Sequence, residues 1–466
     1  MPESPLAPDW LRLPDDANAL DGAVWPASAA RDAAGILSVG GAATTELAAR
    51  FGTPLYVLDE GMVRARAVRV REALETAFAE VGAAVRVYYA GKAFLSTAVA
   101  RWVTESGLGI DVCTGGELAV ALAADVEASR IGLHGNNKSL AEIDRAVGAG
   151  VGTIIIDSLQ EIERVADAAS RHFRRQRVRL RVSTGVHAHT HDFLATAHED
   201  QKFGIPLAQV PGAVAFLRSF ASLEFVGLHC HIGSQIFGSE GFAESARRLV
   251  AVHADLLEGG PVPELNLGGG FGIAYTAADD PEPIEALAAD IARAVAGECA
   301  ERGIPVPTVC FEPGRWVVGN AGITLYEVGT TKPVEVSLAG GETAIRLYAS
   351  VDGGMSDNVR PALYGADYGV RIASRTSAAP AQLVRIAGRH CESGDIVVNA
   401  DYLPGDVRPG DLVAVPATGA YCWSLSSNYN HSARPAVVAV HAGTARVIVR
   451  GETEADLLSR DVGAVR

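Results

Sequence analysis

Apolar and polar positions change rhythm three times along the chain. Residues 1 to about 30 show no period and are rich in Pro, Ala and Asp, which predicts an irregular arm. Between 35 and 80, an apolar run at 35–39, a helical stretch from Thr44, a second run at 54–58 and amphipathic spacing over 60–80 predict strand, helix, strand, helix. Strand-like runs then recur at 85–89, 108–112, 130–133, 153–156, 178–182, 225–229, 264–267 and 308–311. Between them lie Ala-, Glu- and Arg-rich segments of helical spacing, such as 116–124 and 160–171. Eight strands alternating with helices over roughly 230 residues predict an α/β fold, a (β/α)8 TIM-type barrel. An open doubly wound sheet would call for a glycine-rich turn after the first strand, and none follows here.

From about 325 the helical spacing fades. Short β-branched runs at 345–348, 382–386, 395–398, 412–415, 436–441 and 445–450 predict a second, mainly β domain of barrel or sandwich type. The runs at 36–39 and 55–58 are left over once the barrel is filled, and are expected to join that second sheet. The expected domains are an arm with strands joining the β domain (1–58), the barrel (59–324) and the C-terminal β domain (325–466).

A barrel carries its chemistry at the C-terminal ends of its strands. Those ends read Lys92, then Asp111-Val-Cys-Thr-Gly-Gly-Glu117, His134-Gly-Asn-Asn-Lys138, Asp157-Ser, an insert over 187–203, His229-Cys-His231-Ile-Gly-Ser234, Gly268-Gly-Gly-Phe-Gly272 and Glu312-Pro-Gly-Arg315. Nearly every end is polar, glycine-rich or ionisable. Lys92 ends an apolar strand between two small residues, where burial is expected to push its amine toward the neutral form that attacks a carbonyl to give a Schiff base. The bland alternative is a lysine that snorkels out from a strand end. Only four lysines (Lys92, Lys138, Lys202, Lys332) stand among forty basic residues, so bulk positive charge here is carried by arginine.

The glycines at 268–270 expose backbone N–H groups able to wrap an anion such as phosphate, and Ser234 can add a hydroxyl. Glu312 is either a solvated loop acid or, beside a Schiff-base lysine and a phosphate cradle, the group that keeps a pyridine nitrogen protonated. His231 is either a hydrogen-bonded core histidine or a ring stacked on that pyridine. His187, His189, His191 and His198, with Asp192, Glu199 and Asp200, read as a polar rim loop, with a His-x-His-x-His metal site as the alternative. In the β domain, Cys391 in a Gly/Asp turn can donate a proton, while Arg360 and Tyr364 offer a planar cation and a phenol suited to a carboxylate.

Bulk properties narrow the classes. At 466 residues two domains are expected. A net charge of −15 argues against nucleic acid and acidic membrane surfaces as partners. No apolar run is long enough to span a bilayer, and the first residues lack the basic and apolar regions of a signal peptide. Six scattered cysteines without a CxxC pair read as reduced thiols of a cytoplasmic protein, with no metal site.

The ordered set Tyr-Ala-Gly-Lys92-Ala, Asp111-x-x-x-Gly-Gly-Glu117, His231-Ile-Gly-Ser234, Gly268-Gly-Gly, Glu312-Pro-Gly-Arg315, Cys391-Glu-Ser-Gly-Asp and Gly-Ala-Tyr421 resembles the fold-type III, alanine-racemase-like pyridoxal-phosphate decarboxylases. Within them it is similar to the diaminopimelate decarboxylases, from about residue 45 to 445. The stretch around His189 and His198 is similar to the bacterial members in particular. His187 stands where an acid is common, and Cys113-Thr114 replaces a serine-containing loop. The resemblance implies pyridoxal 5'-phosphate held by Lys92, His231, Ser234, Gly268, Gly269, Gly270, Glu312, Pro313, Gly314, Arg315 and Tyr421. It implies Cys391 as proton donor, supplied by the other subunit of a homodimer with shared active sites. Arg360, Tyr364, Glu392 and Tyr421 would surround the distal end of an amino-acid substrate, and Arg315 would meet either phosphate or substrate. The implied reaction is decarboxylation of meso-2,6-diaminopimelate to L-lysine. An ornithine- or arginine-type decarboxylase would meet a distal cation only and should lack Arg360. A racemase of this fold should carry arginine where Glu312 stands. A non-catalytic cofactor-binding regulator is the reading from a different class, and the intact Lys92 and Cys391 count against it.

Overall fold

The computed structural model describes residues 4–186, 202–338 and 340–464. The His-rich segment 187–201 lies outside the described residues. The chain divides into two compact units. One comprises Arg64–Gly272 with Pro281–Val317, and the other comprises Met1–Val63, Ile273–Asp280 and Val318–Arg466.

The first unit is a closed parallel barrel. Its strands are β1 (Val85–Ala90), β2 (Gly109–Val112), β3 (Ile131–Leu133), β4 (Thr153–Ile156), β5 (Gln176–Ser183), β6 (Leu223–His229), β7 (Glu264–Asn266) and β8 (Thr308–Phe311). Each pairs in parallel with the next, and the β8–β1 pairing closes the ring. Near-continuous Val, Ile and Leu runs form these strands because both faces are covered, by the barrel interior and by the helix layer. Ile110, Ile131, Leu133, Ile154, Leu180 and Leu265 are all buried, each contributing about 1.5–3 kcal/mol by leaving water.

Helix starts are written into the loops at the strand ends. Ser139 and Glu142 form a reciprocal capping box on Leu140–Ala149, and Thr114 caps Gly115–Ala123 through the Glu117 amide. At the N-terminal ends of the strands, Arg179 is fully buried and donates from Nε and Nη2 to Glu264 Oε2 at 3.0 and 2.7 Å. That pair serves stability, because a barrel's chemistry lies at its other face.

The second unit is built on β9 (Gly322–Ser337). Its N-terminal half pairs antiparallel with Leu55–Asp59 on one side and Leu412–Pro416 on the other. Its C-terminal half pairs with Thr343–Val351, which continues the sheet through Ala381–Ala387 and Ile396–Pro404. Leu55–Asp59 continues it the other way through Val437–His441 and Thr444–Val449. The expectation for 55–58 therefore holds, but that for 36–39 does not. Leu37–Val39 lies in a separate three-stranded sheet between Ala30–Arg31 and Ala42–Ala43. Gly40 and Gly41, with φ of 58° and 79°, reverse the chain at once, so both edges of this strand are taken by its sequence neighbours. The arm is irregular yet packed: Leu6, Leu11 and Leu13 lie against Leu383 and Tyr402, and Val24 and Trp25 are buried.

Candidate functional site

The C-terminal rim of the barrel is assembled around β1 and β8. Lys92 sits in a single 3-10 turn, Gly91–Ala93, directly after β1. Its flanking residues are buried but its own side chain is exposed, which corrects the expectation of a desolvated amine. A strand-end lysine at a rim keeps its backbone in the fold and its side chain in solvent. The neighbouring turn explains the Glu-Pro-Gly-Arg sequence. Ala90 N–H donates to the Pro313 carbonyl at 3.1 Å, and a Cβ on Gly314 would stand 2.9 Å from the Ala90 carbonyl. Only glycine allows that approach without a shift.

Lys138, which follows β3, is a different kind of lysine. It is buried and donates to the Gly135 and Ile155 carbonyls at 2.7 and 2.6 Å and to Glu161 at 2.8 Å. Its three protons are spent inside the chain. Lys202 and Lys332 are exposed and lie at no barrel strand end.

Glu312, one residue past β8, is the electrostatic centre of the rim. Its Oε1 accepts from Asn266 Nδ2 at 2.7 Å, and its carboxylate lies 3.2 Å from His229 Nε2 and 3.4 Å from His134 Nε2. The two imidazoles meet edge to face, 5.1 Å between centroids. Burial pushes each of them down to about 4, so both are neutral near pH 7. Burial opposes ionisation of Glu312, yet His229 and His134 beside it hold its carboxyl well below the ordinary range. Asp111 on β2 goes the other way: burial and the adjacent negative charge of Glu312 push it well above the ordinary range. The two neighbouring acids are thus pushed in opposite directions, Glu312 toward its charged form and Asp111 toward its neutral one. Asp111 Oδ1 lies 3.3 Å from His134 Nε2, but neither atom makes a hydrogen bond among the described residues. A buried carboxylate of this kind is suited to a protonated ring nitrogen. His134, His229 and Glu312 also offer donor atoms within 4.8 Å of one another, as a metal site would, but one Glu312 oxygen already accepts from Asn266.

On the other side of the rim, Arg315 Nη2 donates to Ser234 Oγ at 2.8 Å, joining a cation and a hydroxyl from the loops after β8 and β6. The glycine turn lies between those loops because nothing larger fits. A Cβ on Gly268 would be 2.4 Å from the Cys230 carbonyl, and one on Gly269 would be 2.1 Å from the Glu312 carbonyl. The Gly268 amide donates to Asn266 Oδ1 at 2.8 Å and the Gly269 amide to His231 Nδ1 at 3.3 Å. Two of the three amides expected to face an anion therefore bond inside the chain, and the second of these orients His231.

The remaining expected residues lie in the β unit. Arg360 is buried at the start of the short helix Arg360–Tyr364, while Tyr364 is exposed. Cys391 and Glu392 are exposed on a tight loop held by Asp395, whose carboxylate accepts the Met355 and His390 amides at 2.5 and 2.7 Å. His390 bonds Ser356 Oγ at 2.8 Å and Asn430 Oδ1 at 3.0 Å. Tyr421 adopts φ of 62°, in the left-handed region. Within this unit, the segment 353–360 touches the loops that bear Cys391 and Tyr421: Ser356 meets His390, and Asn358 meets Cys422.

Sequence reasoning quoted Asp111, His134 and His229 as strand ends without assigning them, and passed over Asn266. Their common signal is a polar residue within one position of the C-terminal end of an apolar barrel strand.

A family model described as "Pyridoxal-dependent decarboxylase, pyridoxal binding domain" matches residues 63–319. A diaminopimelate decarboxylase of Mycobacterium tuberculosis is 53% identical over 447 residues, which covers 94% of this chain and 98% of that protein. One from Mycobacterium leprae is 51% identical, covering 98% and 96%. The crystal structure of a diaminopimelate decarboxylase from M. jannaschii in co-complex with L-lysine superimposes with a TM-score of 0.84 at 30% identity, covering 93% of this chain and 98% of that one.

Proposed function

The chain belongs to the pyridoxal-dependent decarboxylases, and from that premise we propose that it converts meso-2,6-diaminopimelate to L-lysine and carbon dioxide, with pyridoxal 5'-phosphate as cofactor. What carries this reading is one barrel rim that presents exposed Lys92, ionised Glu312 and the Arg315–Ser234 pair, in a chain more than half identical to a relative of that name.

The donor set fits the cofactor: an amine for its carbonyl, a buried carboxylate for its pyridine nitrogen, and a cation and hydroxyl for its phosphate. Asp111 and His134 keep buried polar atoms without hydrogen bonds beside Glu312, where a polar ring would meet them. Lys92 would hold the cofactor's carbonyl carbon and His231 would cover its ring face. Ser234, Gly268, Gly269, Gly270, Pro313, Gly314, Arg315 and Tyr421 would line its phosphate end, and the bond to Ser234 favours phosphate over substrate for Arg315. Once bound, pyridoxal phosphate supplies the electron sink for the carbanion left by departing carbon dioxide. Glu312 would keep the proton on the pyridine nitrogen, and Cys391 Sγ would deliver one to the carbon that lost its carboxylate.

Arg360, Tyr364, Glu392 and Tyr421 would receive the distal end of the substrate, which carries both a carboxylate and an ammonium. Arg and Glu answer one charge each. The active form would be a homodimer in which each site takes Cys391 and Glu392 from the second subunit. The six cysteines are free thiols, which supports a cytoplasmic location. No helix among the described residues is long and apolar enough to cross a membrane. Carbon dioxide release compared across diaminopimelate, lysine, ornithine and arginine tests the reading. Release from diaminopimelate alone is expected; preferential release from ornithine or arginine overturns it.

A further inference from the structure

Arg360 is a buried guanidinium, 7% exposed, with which no carboxylate pairs among the described residues. Its surroundings hold it without neutralising it. The Tyr275 ring lies 4.5 Å and the Tyr368 ring 5.6 Å from its central carbon, and the two rings meet edge to face at 5.2 Å. Arg360 Nη1 donates to Tyr368 Oη. Tyr368 Oη lies 3.7 Å from Cys422 Sγ, and the Cys422 thiol donates to Asn358 Oδ1 at 3.5 Å. The same Asn358 oxygen accepts the Arg360 backbone amide at 3.4 Å.

These contacts close a ring. The guanidinium donates to the phenol, the phenol's own proton points to the thiol, the thiol donates to the Asn358 amide oxygen, and that oxygen binds the Arg360 backbone. Four hydrogen bonds make up the ring, and both ends return to one residue. Tyr368, Cys422 and Asn358 are themselves buried, so the ring is not shared with solvent. A carboxylate in place of the phenol would have paired the charge. A phenol and two ring faces fix its position and leave its electrostatic demand open.

We propose that Tyr368 is a positioning residue that, with Cys422 and Asn358, pre-aims Arg360 and makes the site selective for molecules bearing a distal carboxylate. This rests on the reading above that Arg360 receives that carboxylate. A buried, unpaired guanidinium held in place rejects a ligand that brings only a cation and accepts one that brings an anion, without reorganising on binding.

The test uses the holoenzyme and three variants. Tyr368→Phe keeps the ring and removes both hydroxyl contacts. It should raise KM for diaminopimelate about fivefold to thirtyfold while kcat stays within about twofold, as expected for a lost bond to a charged group. Inhibition by L-lysine, which retains one carboxylate, should weaken in parallel, whereas inhibition by 1,5-diaminopentane, which has none, should not change. Cys422→Ala breaks the ring one step further on and should give the same pattern at about twofold to fivefold, which decides the matter if Tyr368→Phe does not fold. Arg360→Ala separates the two readings. If it raises KM and neither ring variant does, the positioning role is overturned. If Arg360→Ala itself leaves KM unchanged, the substrate role of Arg360 fails instead. Equal losses for both inhibitors in Tyr368→Phe would mean general loosening of the site and would also overturn the proposal.

Discussion

Asn266 ties Glu312 to the glycine turn: its Nδ2 donates to Glu312 Oε1 at 2.7 Å while its Oδ1 accepts the Gly268 amide at 2.8 Å. A single amide side chain therefore fixes a charged acid and the neighbouring loop together. Asn266→Ala leaves a buried carboxylate one donor short, at a cost of about 1.5–3 kcal/mol. The expected result is faster loss of pyridoxal phosphate on dialysis, by about tenfold, and a lowered Tm even without cofactor. Unaltered cofactor retention would mean that Glu312 is held by the histidines alone.

Glu312→Gln keeps the size of the side chain and removes its charge. Cofactor should remain bound, with kcat reduced about 10²- to 10³-fold, the scale of one preorganised electrostatic contact. A kcat near the native value would assign Glu312 another task. His134 and His229 cannot take over, because burial keeps both neutral until the pH approaches about 4.

His253 gives a stability prediction outside the site. It is buried on the helix Glu240–Leu257, its Nδ1 lacks a hydrogen-bond partner among the described residues, and burial pushes its ring from the ordinary 6.5 down to about 4. Between those values the unfolded chain binds the proton and the folded one does not, so stability falls as the pH is lowered through this window. One such group contributes a slope approaching about 1.4 kcal/mol per pH unit. Urea unfolding of His253→Met at about pH 5 and about pH 6.5 should show a shallower dependence than the native chain. Equal slopes would indicate that water reaches the ring.

Sharing of sites between subunits is testable by mixing. Lys92→Ala and Cys391→Ala homodimers should each be nearly inactive. In a mixed dimer one site carries both lesions and the other carries neither. Random exchange makes half the dimers mixed, so activity should recover to about a quarter of native, given two-fold pairing. Full exchange by mass with no recovery would place Lys92 and Cys391 in service of the same site within one chain.

Periodicity revealed the barrel because parallel strands covered on both faces leave unmistakable apolar runs, and each run ends on the rim. The same rule exposed Lys92, Glu312 and His231. It misjudged the surroundings of Lys92, since an apolar strand says nothing about whether the next side chain faces protein or solvent. Asn266 was missed because one polar letter inside Glu264–Asn266 and the following Leu reads as noise in a strand. The sixteen-residue β9 was missed for another reason. It is buried on both faces in its first half and alternates in its second, with Gly329 and Pro333 interrupting the pattern. Arg360 and Cys391 were legible as a cation and a loop thiol, but their roles came only with the family resemblance, because no period marks a loop thiol or the first residue of a five-residue helix.

Leu55–Asp59 is buried along its whole length between β9 and Val437–His441. A ribosome releases this strand before the barrel and both of its neighbours after it. Throughout synthesis of the barrel, the nascent chain carries an apolar strand with two open hydrogen-bonding edges, the kind of segment that invites mispairing. Its first partner emerges only when the barrel is made, and its second only after almost all of the remaining β unit. The strand made earliest in that sheet therefore waits longest for its partners to be made.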